Sequence, residues 1–376
     1  MPVCRHRQSC SGQVMKAEEE RKMESQRGNN PFTLDFGREP AEMIPRLNLM
    51  EKLKQAFMDE PASRHISMIT GIRGSGKTVF MTSAGKQIAE NPKWTVVELS
   101  PEQDLLDALL AQLQKDKTVL RFLKSARINL PFSSVELKAE GTPEMKYPEI
   151  LLEKILENMK KRGRKLLITI DEVTNNPNVR RFAGISQILL RKDLPLYLLM
   201  TGLYDNLRAL QNEKSLTFLY RAPRITLESL NLGTIADSYQ RIFRIEREQA
   251  VGMARDTRGY SFAFQVLGYF NWLYRDNPVK VQTFYRQYLY EYVYDKVWAE
   301  MSATDRRVLS AMTHVPGGEV KKIRDELNME TNQFNPYRMR LIRKGVVDGT
   351  CYGKLRFTLP LFEDYIRENG YMEDVE

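Results

Sequence analysis

The run Gly71-Ile72-Arg73-Gly74-Ser75-Gly76-Lys77-Thr78 constrains this chain more than any other feature. It fits the pattern G-x-x-x-x-G-K-[ST] in the context that gives the pattern meaning. The apolar stretch from His65 to Thr70 reads as a buried strand before it, and Val79 to Ala89 reads as a helix after it. Glycines 71, 74 and 76 let backbone N–H groups approach phosphate oxygens with no Cβ in the way, and the helix that follows adds its positive N-terminal end. Lys77 then reaches the β- and γ-phosphates as a mobile point charge, while the Thr78 hydroxyl is placed to ligate Mg2+. Residues Gly71 through Val79 are thus the expected contact with a nucleoside triphosphate.

A second element completes the pattern. Lys165-Leu166-Leu167-Ile168-Thr169-Ile170-Asp171-Glu172 is an apolar run ending in two carboxylates, as expected of a buried parallel strand opening onto a ligand crevice. Asp171 is the candidate for the Mg2+ shell, and Glu172 the candidate base that polarises an attacking water. The strand Leu196 to Met200 ends at Thr201, a candidate sensor able to hydrogen-bond a γ-phosphate or that water. Arg221, with Arg224 as the alternative, lies just before the short strand Ile225 to Leu227 and is the candidate arginine finger, acting within the chain or across a subunit interface.

Composition narrows the rest. The chain has 376 residues, 42% of them hydrophobic and 28% charged, which gives room for two or three domains with ordinary cores. No apolar run approaches the roughly 20 residues that span a bilayer. Three cysteines form no disulfide framework and no apolar signal segment opens the sequence, so a cytoplasmic setting is expected. Cys4, His6 and Cys10 lie in a polar tail with no fourth ligand nearby, and no metal is expected there. The formal charge of +9 favours an anionic partner, nucleic acid above all.

The expected fold class is α/β: a P-loop core with a parallel sheet, then an all-helical lid and a C-terminal winged helix-turn-helix. Residues 1–28 are too polar to pack and are expected to be disordered. The core is expected over 29–228, with the segment from Asn30 to Pro40 beside the nucleotide's base and a hairpin-like insertion at 127–140. The lid and a connecting helix are expected over 229–295, where the dense aromatic residues read as a helical core rather than a base-stacking surface.

The winged helix is expected over 296–376. Its third helix is read from Asn335-Pro336 to Lys344, capped by Asn335, with Met339, Ile342 and Val346 on its apolar face. Arg338, Arg340, Arg343 and Lys344 on that helix are the candidate contacts to DNA phosphates, and Asn332, Gln333, Asn335 and Tyr337 near its start are placed to face base edges. The competing reading packs this module against a protein partner or the chain's own core.

Assembled, these residues resemble the bacterial and archaeal AAA+ ATPases of the origin-recognition-like and archaeal signal-transduction (STAND-like) group. The likeness covers roughly residues 29–370 and rests on Asn30-Pro31-Phe32 with Phe36-Gly37, the phosphate loop, Asp171-Glu172, Tyr220-Arg221, and Gly259-Tyr260 with Gln265 and Gly268. It implies ATP and Mg2+ as ligands, Arg46 near the adenine, and Arg221 as the arginine that follows the sensor strand. Initiator relatives carry a sensor arginine on the lid near the Gly-Tyr turn. Here Gly259 is followed by Tyr260, Ser261 and Phe262, and Arg258 is the nearest arginine. Two functional readings follow: an ATP-hydrolysing switch whose winged helix contacts double-stranded DNA, or an ATP-gated module, homo-oligomeric or bound to a protein partner, with slow hydrolysis and no DNA.

Overall fold

The computed structural model describes residues 29–35, 39–125 and 147–370. The N-terminal tail with its Cys4, His6 and Cys10, the pair Phe36-Gly37 and the 127–140 insertion lie outside the described residues. Internal contacts divide the chain into two units. One comprises residues 46–72 and 76–228; the other comprises the residues up to 45, Arg73–Ser75, and the chain from Ser229 onward.

The first unit alternates helices and strands. In chain order it contains α1 (Leu47–Met58), β1 (Ile66–Thr70), α2 (Lys77–Ala89), β2 (Trp94–Leu99), α3 (Leu105–Leu113), α4 (Lys117–Ser125), α5 (Pro148–Lys161), β3 (Lys165–Ile170), α6 (Pro177–Arg191), β4 (Leu196–Gly202), α7 (Tyr204–Gln211), a 3-10 segment (Lys214–Arg221) and β5 (Arg224–Thr226). The five strands form one parallel sheet in the order β2-β3-β4-β1-β5.

Successive side chains of a strand face opposite ways, and both faces of this sheet are covered. Leu166, Ile168 and Ile170 of β3, with Leu196, Leu198 and Met200 of β4, pack into one core with apolar residues of α3, α5, α6 and α7. The intervening Leu167, Tyr197 and Leu199 pack into the other, with Met50, Leu53 and Phe57 of α1 and Phe80, Met81 and Ala84 of α2. Each fully buried Leu or Ile contributes about 1.5–3 kcal/mol. This two-faced burial is why β1, β3 and β4 are apolar runs rather than alternating strands.

The second unit is mainly helical: α8 (Leu232–Phe243), α9 (Arg247–Asp256), α10 (Ser261–Tyr274), α11 (Pro278–Leu289), a π-helical turn (Tyr290–Tyr294) and α12 (Asp295–Ala299). Tyr239, Phe243, Tyr260, Phe264 and Phe270 are buried, so the aromatic density is a core. Phe32 is part of it. Its ring stacks on Phe243 and meets Phe264 edge-on, and a Cβ on Gly268 would stand 2.5 Å from it. The segment at Asn30 therefore packs on the helices of its own unit.

The same unit continues through α13 (Ala303–His314), α14 (Val320–Leu327), α15 (Thr331–Lys344), an antiparallel pair β6 (Val347–Asp348) and β7 (Arg356–Phe357), and α16 (Phe362–Asn369). Three helices are thus followed by an antiparallel strand pair and a last helix. The third helix differs from expectation at its start. It begins at Thr331, where Glu330 and Gln333 form a reciprocal capping box, and Pro336 lies inside it. Its buried positions are Phe334 and Leu341, two turns apart, while Met339 is 43% exposed. Of the apolar face read from Met339, Ile342 and Val346, Val346 is buried and Ile342 half-buried, and only Met339 stands outside the packed side.

Candidate active site

The parallel sheet places three strand ends in a row. The Asp171 strand β3 and the phosphate-loop strand β1 both flank β4, whose end carries Thr201. Thr201 is fully buried. Its hydroxyl donates to the Asp171 carboxylate and accepts the Glu172 N–H at 3.1 Å. The other Asp171 oxygen accepts from the Thr78 hydroxyl at 2.6 Å. One carboxylate thus joins the first turn of α2 to the ends of β3 and β4.

Glu172 follows in the left-handed region at φ 51, which turns the chain sharply after β3 and leaves the side chain exposed. It lines a cavity of about 620 Å³ with Asp171 and Thr174, facing the segment Glu98 to Gln103 that follows β2. This crevice lies at the carboxyl ends of adjacent parallel strands, where α/β sheets bind ligands. Asn176 and Asn178 hold its rim by donating to the carbonyls of Pro101 and Glu102 at 3.0 and 3.2 Å.

The loop has the shape its glycines permit. Gly74 and Gly76 have φ values of 73° and 88°, and Gly76, with no side chain, stands at the N-cap of α2. Lys77 is largely buried and folds back over the loop, its Nζ donating to the carbonyls of Gly71 and Ile72 at 3.1 Å each. The donor set fits a magnesium nucleotide. Thr78 and Asp171 offer hard oxygens at one point beside a lysine and a helix start, and Mg2+ takes one or two such protein ligands together with substrate phosphates. Among the described residues no three His, Cys, Asp or Glu side chains gather to hold a metal alone.

The remaining predicted residues are distributed as follows. Arg46 precedes α1, its guanidinium donating to the Glu228 carbonyl at 2.5 Å, and burial lowers its pKa from the ordinary arginine value. Arg221 is exposed at the end of the 3-10 segment beside Tyr220, itself 72% exposed. Arg224 lies over the Tyr204 ring at 5.7 Å. Arg258 donates to the carbonyls of Phe357 and Leu359 at 2.9 and 3.1 Å, so it ties the helical segment to the end of β7 within its own unit.

The four cations of α15 are divided. Arg340 pairs with Asp305 at 2.7 Å and donates to Ser302 at 2.8 Å, and Lys344 stands 3.8 Å from the same carboxylate, which is 1% exposed. Arg343 is exposed and Arg338 half-buried. The sequence gives four like charges on one helix; it does not show that a buried aspartate on α13 draws two of them inward. The spacing from Ser302 to Asp305, a helix cap three residues before a carboxylate, was the only local sign.

A family model described as a domain of unknown function (DUF8462) matches residues 291–366. No curated protein matches the sequence. Among solved structures, a Walker-type ATPase of Pyrococcus abyssi is similar with a TM-score of 0.61 at 14% identity, over 86% of this chain and 96% of that one. The ORC2 protein of Aeropyrum pernix, solved as ADPNP–ADP complexes, is similar with a TM-score of 0.54 at 13% identity, over 89% and 96%. No helix among the described residues is long and apolar enough to cross a membrane. The loop Gly71 to Thr78, Asp171, Glu172 and Thr201 are therefore carried on a fold similar to that of the Pyrococcus abyssi Walker-type ATPase and the Aeropyrum pernix ORC2 protein.

Proposed function

We propose that the protein is a Mg2+-dependent ATPase that works as a molecular switch, with its C-terminal module contacting double-stranded DNA. The observation that carries the ATPase reading is the single network in which Asp171 holds Thr78 and Thr201 while Thr201 holds the Glu172 N–H. Thr78 and Asp171 would hold Mg2+, which supplies positive charge to the β- and γ-phosphates. Lys77 adds a second cation at the same oxygens, and the amides from Gly74 to Gly76 cradle them. Glu172, exposed on the crevice, takes a proton from the attacking water. Thr201 fixes the backbone from which Glu172 projects. Arg221 is offered from an exposed position to the nucleotide of a neighbouring copy, which makes a homo-oligomer the working form. A cytoplasmic setting provides both ATP and Mg2+.

The DNA reading rests on the exposed cations of the C-terminal module, Lys321, Lys322, Arg343 and Arg356, with Asn332, Gln333 and Asn335 on the exposed part of α15. Arg340 and Lys344 are assigned instead to the buried pair with Asp305. One observation favours the second reading, a protein partner: Met339 is 43% and Tyr352 fully exposed on the same module. Duplex-DNA binding measured across a salt series separates the two. Phosphate contacts give an affinity falling linearly in log–log form, with a slope that shrinks by about one in Arg343→Ala. Absence of binding at low salt assigns the module to a protein.

A further inference from the structure

The carbonyls of three successive loop residues are each held by one short segment of the same unit. Tyr260 Oη donates to the Arg73 carbonyl at 2.6 Å, the Phe262 N–H to the Gly74 carbonyl at 3.1 Å, and Ser261 Oγ to the Ser75 carbonyl at 3.1 Å. In a trans peptide the C=O of one residue and the N–H of the next point in opposite directions. Fixing the oxygens of residues 73, 74 and 75 on one side therefore turns the N–H groups of Gly74, Ser75 and Gly76 to the other. Those are the amides that a glycine-rich loop aims at phosphates.

The segment is built for close approach. Ser261 opens α10, whose first N–H groups have no acceptor within the helix, and Phe262 uses its own on Gly74. Gly259, at φ 75, makes the turn before it, and a Cβ there would stand 2.5 Å from the Leu230 carbonyl. Tyr260 is buried, and burial pushes its phenol well above the ordinary range, so the hydroxyl stays protonated and donates. A Cβ on Gly74 would lie 2.1 Å from Tyr260 Oη and 3.0 Å from Phe262 Cβ. The glycine that the phosphate pattern demands at 74 is thus demanded a second time, from behind the loop.

We propose that Tyr260 and Ser261 are positioning residues of the phosphate cradle, orienting the amides of Gly74, Ser75 and Gly76 through their hold on the carbonyl side. The assignment rests on the ATP-binding reading above. Its test is the affinity of the full chain for Mg·ATP, Mg·ADP and adenosine, in wild type, Tyr260→Phe and Ser261→Ala. Loss of one hydrogen bond that leaves a loop carbonyl without its donor weakens ATP and ADP binding about tenfold in Tyr260→Phe and about three- to tenfold in Ser261→Ala. Adenosine affinity stays at the wild-type value, because it has no phosphate for the cradle to hold. Amide hydrogen exchange at Gly74, Ser75 and Gly76 accelerates in both variants. Equal losses for ATP and adenosine overturn the proposal in favour of a merely structural role, and so do unchanged ATP and ADP affinities. If Tyr260→Phe does not fold, Ser261→Ala carries the same test alone. A wild-type chain that binds neither ATP nor ADP refutes the ATP-binding reading itself, an outcome distinct from variants that match a binding wild type.

Discussion

Thr201, at the end of β4, accepts the backbone N–H of Glu172 at 3.1 Å while its own hydroxyl donates to Asp171. The turn that aims Glu172 into the crevice is therefore held from the neighbouring strand. Replacing Thr201 with Val keeps shape and burial but removes the acceptor. Turnover of ATP is expected to fall about tenfold or more, since Glu172 loses its anchor, while the Kd for Mg·ATP stays within about threefold. Phosphate-release kinetics beside nucleotide titrations check this, and an equal loss in both contradicts it.

Asp305 organises the C-terminal module by holding Arg340 at 2.7 Å and Lys344 at 3.8 Å. Breaking a buried pair by removing one partner leaves uncompensated charge, here two cations, one of them half-exposed. Asp305→Ala is expected to cost about 3 kcal/mol of stability, and Arg343→Ala less than about 0.5 kcal/mol. Urea denaturation followed through the C-terminal module compares them, and equal stabilities would sink the assignment of Arg340 and Lys344 to this pair.

Asp116 joins β2 to the start of β3. Its carboxylate accepts from Arg164 at 2.7 and 3.1 Å and from the N–H groups of Thr118 and Val119. Burial pulls its pKa upward, but these hydrogen bonds prevail and hold it at about 2. A folded-state value below the unfolded one contributes stability that is present above the unfolded pKa and lost as pH falls toward the folded one. The wild type is expected to lose about 1–2 kcal/mol between pH 4 and pH 2 from this group. Asp116→Asn should be weaker by that amount at pH 7 and show a flatter decline in acid, which thermal unfolding at a series of pH values measures.

The legible parts of the chain were those whose cause is local. The phosphate loop, the apolar strands and the carboxylates at the end of β3 follow from spacing and burial within about ten residues. The helical identity of the aromatic region followed from composition. What sequence did not reveal depends on long-range placement: β4 inserted between β1 and β3, Asp305 drawing in Arg340 from 35 residues away, and Tyr260 meeting Arg73 from 187 residues away. The start of α15 differs from the sequence expectation for another reason. Asn335-Pro336 has the composition of a cap, but the Glu330–Gln333 box satisfies the helix start five residues earlier, and Pro336 is then accommodated inside the helix.

The central claim, an ATP-hydrolysing site at Lys77, Thr78, Asp171 and Glu172, is tested most directly by single-turnover hydrolysis of Mg·ATP by wild type and Glu172→Gln, each with its Kd measured. The account predicts that the variant binds Mg·ATP within about threefold of wild type and that its hydrolysis falls by about 100-fold or more, the scale of a lost general base. Hydrolysis by Glu172→Gln at the wild-type rate would contradict it.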